Sequence, residues 1–152
     1  TSSIGVPGSA LIPVTHRGVS AAFAVFAAHE AEDASGPAVD WTVAARVPTA
    51  VFLMGVERLP VIVQQLIAHG RAGSTPVAVI EQGTLETQRI TTGTLRTILS
   101  RARDARPPAT VIVGDVVSVR EAVLAMQQGQ PAWTATAPLD RRRRVRAVAS
   151  AR

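Results

Sequence analysis

Three short apolar runs, TAVFLM at residues 49–54, TPVAVI at 75–80 and ATVIVG at 109–114, most constrain what this chain can fold into. Each is too short for a buried helix, is rich in β-branched or aromatic residues, and has glycine or proline close by, so each reads as a buried strand. Strands buried on both faces need a covering layer on each side, and the intervening sequence supplies helices for that purpose. From Glu57 to His69 the residues Leu59, Ile62, Val63, Leu66 and Ile67 recur at helical spacing, with Pro60 in the first turn and Gly70 as the stop. A second helix is expected from Thr94 to about Ala105, turning Leu95, Ile98 and Leu99 inward and Arg96, Arg101 and Arg103 outward until "RPP" ends it. Asp40 is placed to cap a short helix in "WTVAARV".

Two further strands are expected, one within Ser20–Ala28 and one in "TQRITTG". The second follows the 75–80 run after a short turn at Gly83 and Thr84, which favours an antiparallel neighbour and a mixed sheet. The fold class that follows is α/β, with a mixed, mostly five-stranded sheet flanked by helices. It occupies residues 1–126. Residues 127–152 lose both periodicities and read as a basic C-terminal tail, poorly ordered at its end. "HEAEDASGPAVD" reads as an exposed loop.

The charge of +5 first suggests a nucleic-acid partner, but its distribution does not. All sixteen basic residues are arginine, and six of them lie in the last twelve positions. Up to Asp140 the chain carries ten arginines against eleven acids, so the body is near neutral. With no cysteine, disulfides and thiolate metal sites are excluded, which fits a reducing compartment. The apolar runs fall short of the roughly 20 residues a membrane span needs, and no signal-peptide pattern opens the sequence. A soluble, cytoplasmic protein without membrane contact is expected.

Motifs for phosphate binding are missing: no glycine-rich fingerprint lies between strand and helix, and there is no lysine for a P-loop. His16, His29 and His69 have no spacing that suggests a shared metal, so no metal site is expected. His69 closes a helix. His29 stands beside Glu30, Glu32 and Asp33, which reads as a solvated loop. Strand ends are more informative, because ligands of α/β sheets collect where strands finish. Met54 offers a polarisable wall there, and Gly55 and Gly83 allow close approach to the backbone, although each also has a plain structural reading as a core methionine or turn glycine. In "PVTHRG", Arg17 either pairs with a surface acid or forks two hydrogen bonds onto the carboxylate of an acidic ligand.

Taken in order and spacing, "TSSIGVPGSALIPVTHRGVS", the "DW" at Asp40 and Trp41, "TAVFLMGVERLPVIVQQLIAHGR", "TPVAVIEQGTLETQRITTGTL" and "ATVIVGDVVSVRE" resemble the C-terminal half of the uroporphyrinogen-III C-methyltransferase family. The resemblance runs from about Thr1 to Arg120 and extends to the methylase module of siroheme synthases. It implies a homodimeric, S-adenosylmethionine-dependent tetrapyrrole methylase that converts uroporphyrinogen III to precorrin-2 in a cleft between two α/β domains. By the same resemblance, Thr1, Ser2, Met54 and Gly83 contact the cofactor. Arg17 is assigned to the substrate's acidic side chains, with His16 as its neighbour. The family's N-terminal domain has no counterpart in this sequence, so no catalytic acid or base is assigned, and a chain supplying one cleft wall and inactive alone is expected. Two alternatives stand beside this reading: a methylase of a later precorrin, and a non-catalytic binding or dimerisation module whose "DRRRRVR" tail attaches to nucleic acid. The nucleic-acid role is not the expected one, since a run of arginines is more often a solvated end.

Overall fold

The computed structural model of the chain describes residues 1–28 and 39–129. The acidic loop from His29 and the arginine-rich tail lie outside the described residues. Close contacts divide the chain into two units, Thr1–Arg120 and Glu121–Arg152. The first contains the whole sheet. Its strands are β1 (Phe23–Ala27), β2 (Thr49–Leu53), β3 (Pro76–Glu81), β4 (Arg89–Thr94) and β5 (Ala109–Val113), arranged in the order β1-β2-β5-β3-β4. β1 and β2 are parallel, and the other three pairings are antiparallel, which makes the sheet mixed and five-stranded as the sequence implies.

Alternation along each strand sends residues to two different layers. Phe52 of β2, Val77 and Val79 of β3, and Val111 and Val113 of β5 face a core closed by α2 (Trp41–Arg46), α3 (Leu59–Ala68) and α4 (Ile98–Arg101). Phe26 and Trp41 stack on Phe52 there, with ring centroids 5.3 and 6.1 Å away. On the opposite face Ala78, Ile80 and Ile112 pack with Ala10 and Ile12, which follow α1 (Ser2–Ser9), and with Val116 and Val117 of a 3₁₀ turn at Asp115–Ser118. The sheet is therefore covered on both faces, which is why its middle strands are continuous apolar runs. The last helix, α5 (Val119–Gln127), crosses the division between the two units.

Several local expectations hold for the reasons given. Asp40 accepts a hydrogen bond from the Val43 backbone N–H at 3.0 Å and opens α2. The turn after β3 is short and β4 returns antiparallel, pairing Glu81 with Arg89 and Pro76 with Thr94. The Thr94–Ala105 helix is corrected: only Ile98–Arg101 is helical, because the β3–β4 ladder holds the backbone as far as Thr94. The Thr97 hydroxyl then accepts from the Thr94 N–H at 2.9 Å and turns the chain. Leu95 and Ile98 are buried, but Leu99 is exposed rather than inward. α1 has no counterpart in the periodicity, since "SSIGVPGS" holds two glycines and a proline. Its helical state comes from packing over the sheet, which overrides weak propensity.

α3 ends in a way that fixes a distant part of the fold. Gly70 adopts a left-handed conformation (φ 91°), its N–H donates to the Ile67 carbonyl, and the Arg71 N–H donates to the Leu66 carbonyl at 2.9 Å. This is the two-bond glycine stop of a helix, and it aims the Arg71 side chain back under the sheet. The guanidinium donates to the carbonyls of Ala44, Val47, Pro48 and Val113 at 2.7–3.3 Å, joining the end of α2, the entry to β2 and the exit of β5. Replacing Arg71 by alanine strands those carbonyls and should lower the unfolding free energy by about 2–3 kcal/mol in urea denaturation. Arg71→Lys should recover less than half of the loss, because an ammonium cannot present the planar fork. A loss near zero for Arg71→Ala would remove the residue from the framework.

Candidate functional site

Because β5 is antiparallel to β2 and β3, its first residues lie at the same end of the sheet as the last residues of the other two. At this end the backbone turns sharply. Met54, Gln82 and Thr84 all adopt left-handed conformations (φ 55°, 48° and 74°), which cost a non-glycine residue about 1 kcal/mol or more and persist only where neighbours enforce them. The neighbours here are identifiable. The Gln82 N–H donates to the Pro108 carbonyl at 2.9 Å, and the Gln88 side-chain oxygen accepts from the Thr84 N–H at 2.8 Å and from the Ser9 hydroxyl at 2.6 Å. Gln88 thus ties the β3–β4 turn to the end of α1.

Glu81 supports the same corner from beneath. Buried at the end of β3, its carboxylate accepts from Arg89 Nε and Nη2 at 3.1 and 3.0 Å and from the Arg106 backbone N–H at 3.1 Å. The forked pair satisfies the buried charge, and the third bond fixes the chain just before Pro107. Sequence reasoning used Glu81 only as part of the "EQGT" turn. The one available signal was its spacing of eight from Arg89, which opposes the two across a tight hairpin.

These turns enclose an open groove of about 580 Å³, within the range of roughly 300–1,000 Å³ usual for small-molecule sites. Val6, Leu53, Met54, Ile80 and Leu85 make its lining largely apolar, while Ser2, Gln82, Thr110 and Glu57 add polar groups. Among the described residues, Glu57 is the single charged one in that lining. No group of three or more potential metal ligands occurs among the described residues.

Of the residues singled out from sequence, Ser2, Met54 and Gly83 come together in this lining. Met54 is 60% exposed, so it is a wall of the groove and not a core methionine. Gly83 also serves the packing: a Cβ there would overlap the Val6 side chain, so the glycine lets α1 close down on the turn. Gly55 likewise faces the core, where a Cβ would lie 2.8 Å from Ile62 Cδ1. Thr1 adjoins the groove without lining it, and its carbonyl accepts from the N–H groups of Ile4 and Gly5 to open α1.

His16 and Arg17 lie elsewhere. Their turn is closed by a bridge between His16 and Ser20, and the Ser20 hydroxyl meets the Thr49 hydroxyl at 2.8 Å, at the first residue of β2. Met54 follows the last residue of that strand, about 17 Å along it. Both side chains are exposed, and His16 Nδ1 lies 3.0 Å from the Arg17 carbonyl. His69 is the capping residue just past α3, with Nδ1 2.8 Å from the Gln65 carbonyl. His29 falls outside the described residues. No described helix is long and apolar enough to cross a membrane.

The family model of the tetrapyrrole (corrin/porphyrin) methylases matches residues 1–99. The uroporphyrinogen-III C-methyltransferase of Methanocaldococcus jannaschii is 44% identical over 122 residues, which cover 78% of this chain and 50% of that protein. An S-adenosyl-L-methionine-dependent uroporphyrinogen III methyltransferase of Methanosarcina barkeri is also 44% identical, over 80% of this chain and 49% of its own length. The chain therefore spans about half the length of these curated relatives. Among solved structures, a Thermus thermophilus uroporphyrin-III C-methyl transferase complexed with S-adenyl homocysteine superposes with a TM-score of 0.64 at 33% identity, covering 73% of this chain and 49% of that one. A cobalt precorrin-4 methyltransferase, 18% identical with a TM-score of 0.67, shares the fold. The family match covers well over half of the sequence and the relatives are up to 44% identical over most of it, so the chain belongs to the tetrapyrrole methylase family.

Proposed function

We propose that this chain is the cofactor-holding half of an S-adenosylmethionine-dependent methyltransferase that C-methylates uroporphyrinogen III to precorrin-2. The observation that carries the reading is the groove in which Ser2, Met54 and Gly83 converge. Its residues fit such a cofactor. The apolar walls suit an adenine ring, the left-handed backbone at Met54 and Gln82 turns peptide groups at the strand ends, and Ser2 brings the positive end of α1 toward a ligand carboxylate. When bound, the cofactor supplies an electrophilic methyl group, and the protein's part is to align it and keep water away.

Among the described residues the groove lining holds no cationic side chain, which favours a grip on a polycarboxylate substrate from outside it. Arg17, exposed and always charged, is our candidate for that task, with His16 as its neighbour. The other cleft wall and the acid–base groups are assigned to the further length present in the relatives. Homodimeric assembly and a cytoplasmic setting belong to the same proposal. The 44% identity to enzymes named for uroporphyrinogen III favours that substrate over a later precorrin.

The isolated chain should show no measurable methylation of uroporphyrinogen III and only weak, about millimolar, affinity for S-adenosylmethionine. Fused behind the N-terminal half of the Methanocaldococcus jannaschii relative, it should methylate. Turnover by the chain alone would refute the half-site reading. In the fused enzyme, Arg17→Ala should lower kcat/KM by the equivalent of about 2–5 kcal/mol, as expected for truncating one partner of a desolvated charge pair. Unchanged kinetics would leave Arg17 as a turn residue.

A further inference from the structure

We infer that Glu57 makes the groove selective for charge, favouring the sulfonium form of the cofactor over the neutral sulfide left after transfer. The inference rests on the cofactor reading above and adds a residue to it. Glu57 stands three positions beyond Met54, in the loop between β2 and α3, and its neighbours in the lining are apolar or uncharged. The Glu57 side chain is exposed, so its carboxylate is open to a ligand entering the groove. A negative charge in a largely apolar groove attracts a ligand of net charge +1 and is indifferent, to first order, to a neutral one.

Methyl transfer changes the ligand in just this respect. The carbon–sulfur bond breaks with its electron pair remaining on sulfur. The new carbon–carbon bond takes its pair from the substrate's π system, and the cation formed on the substrate is relieved by loss of a proton to a base. The sulfonium has become a sulfide, and the attraction to Glu57 is gone. The carboxylate therefore holds the reactant more strongly than the product and assists exchange of one for the other.

A pair of unit charges a few ångströms apart in water attracts by an amount equivalent to about three- to ten-fold in affinity. The test is a titration of the 152-residue chain with S-adenosylmethionine and, separately, S-adenosylhomocysteine, following the Met54 methyl resonance in wild type, Glu57→Gln and Glu57→Lys. The expected result is a shift of the Kd ratio toward the sulfide by about three- to ten-fold in Glu57→Gln and further in Glu57→Lys, shrinking as salt is raised. An unchanged ratio overturns the inference while leaving the cofactor reading intact. Equal losses for both ligands also overturn it, assigning Glu57 to a part the two molecules share. If neither ligand moves the Met54 resonance in wild type, the cofactor reading itself fails and the inference with it.

Discussion

The insertion of β5 between β2 and β3 is the constraint on which the rest of the described structure depends. Both of its neighbours run antiparallel to it, so Thr110 to Val113 are paired on both sides and both faces of the strand are covered. Its burial is complete from Thr110 to Val113 apart from small residual exposure at Thr110, so a polar or bulkier residue there would disturb two cores at once. The direction of β5 also decides where ligands can bind. Because its start meets the ends of β2 and β3, Pro107 to Thr110 become one side of the groove and Met54 and Gln82 the other.

Two charged side chains hold this arrangement from opposite ends of the sheet. Arg71 gathers carbonyls where β5 leaves and β2 enters, and Glu81 gathers donors where β3 leaves and β5 is about to enter. Each is partly or wholly withdrawn from water and each is satisfied by several hydrogen bonds, the condition under which a buried charge is tolerated. The groove lies beside the Glu81 corner and inherits its rigidity. The left-handed Gln82 and Thr84 at its rim are held by hydrogen bonds to Pro108 and Gln88.

Much of the fold was legible in the sequence, and the reasons are local. Strand runs at 49–54, 75–80 and 109–114 could be read because burial on both faces demands uninterrupted apolar residues, and α3 could be read because one face of it does. The Asp40 cap and the Gly70 stop are decided within a few residues of themselves. α1 and the short α4 were not legible: α1 is helical only because the sheet beneath it rewards the packing of Pro7 and Val6, and α4 is short because a ladder formed with a distant strand claims Thr94. For the site, resemblance pointed to Ser2, Met54 and Gly83, while Glu57, Gln82 and Gln88 carried no local signal and Glu81 only its spacing from Arg89. Gln82 bonds to Pro108 and Gln88 to Ser9, residues distant in the chain that no local pattern identifies.

The sequence by itself determined the class of fold, the number of strands and the kind of residue at each strand end, because those follow from periodicity and from what proline and glycine permit. Tertiary structure alone decided the order β1-β2-β5-β3-β4, since no periodicity records which strand pairs with which. That order in turn decided that Gly83 makes room for Val6 and that Met54 stands exposed at a groove. It also set Arg17 at the far end of β2 from both. Pairing is a long-range choice settled by how two apolar faces and the charges of Arg71 and Glu81 can all be satisfied at once, and that balance exists only in the folded chain.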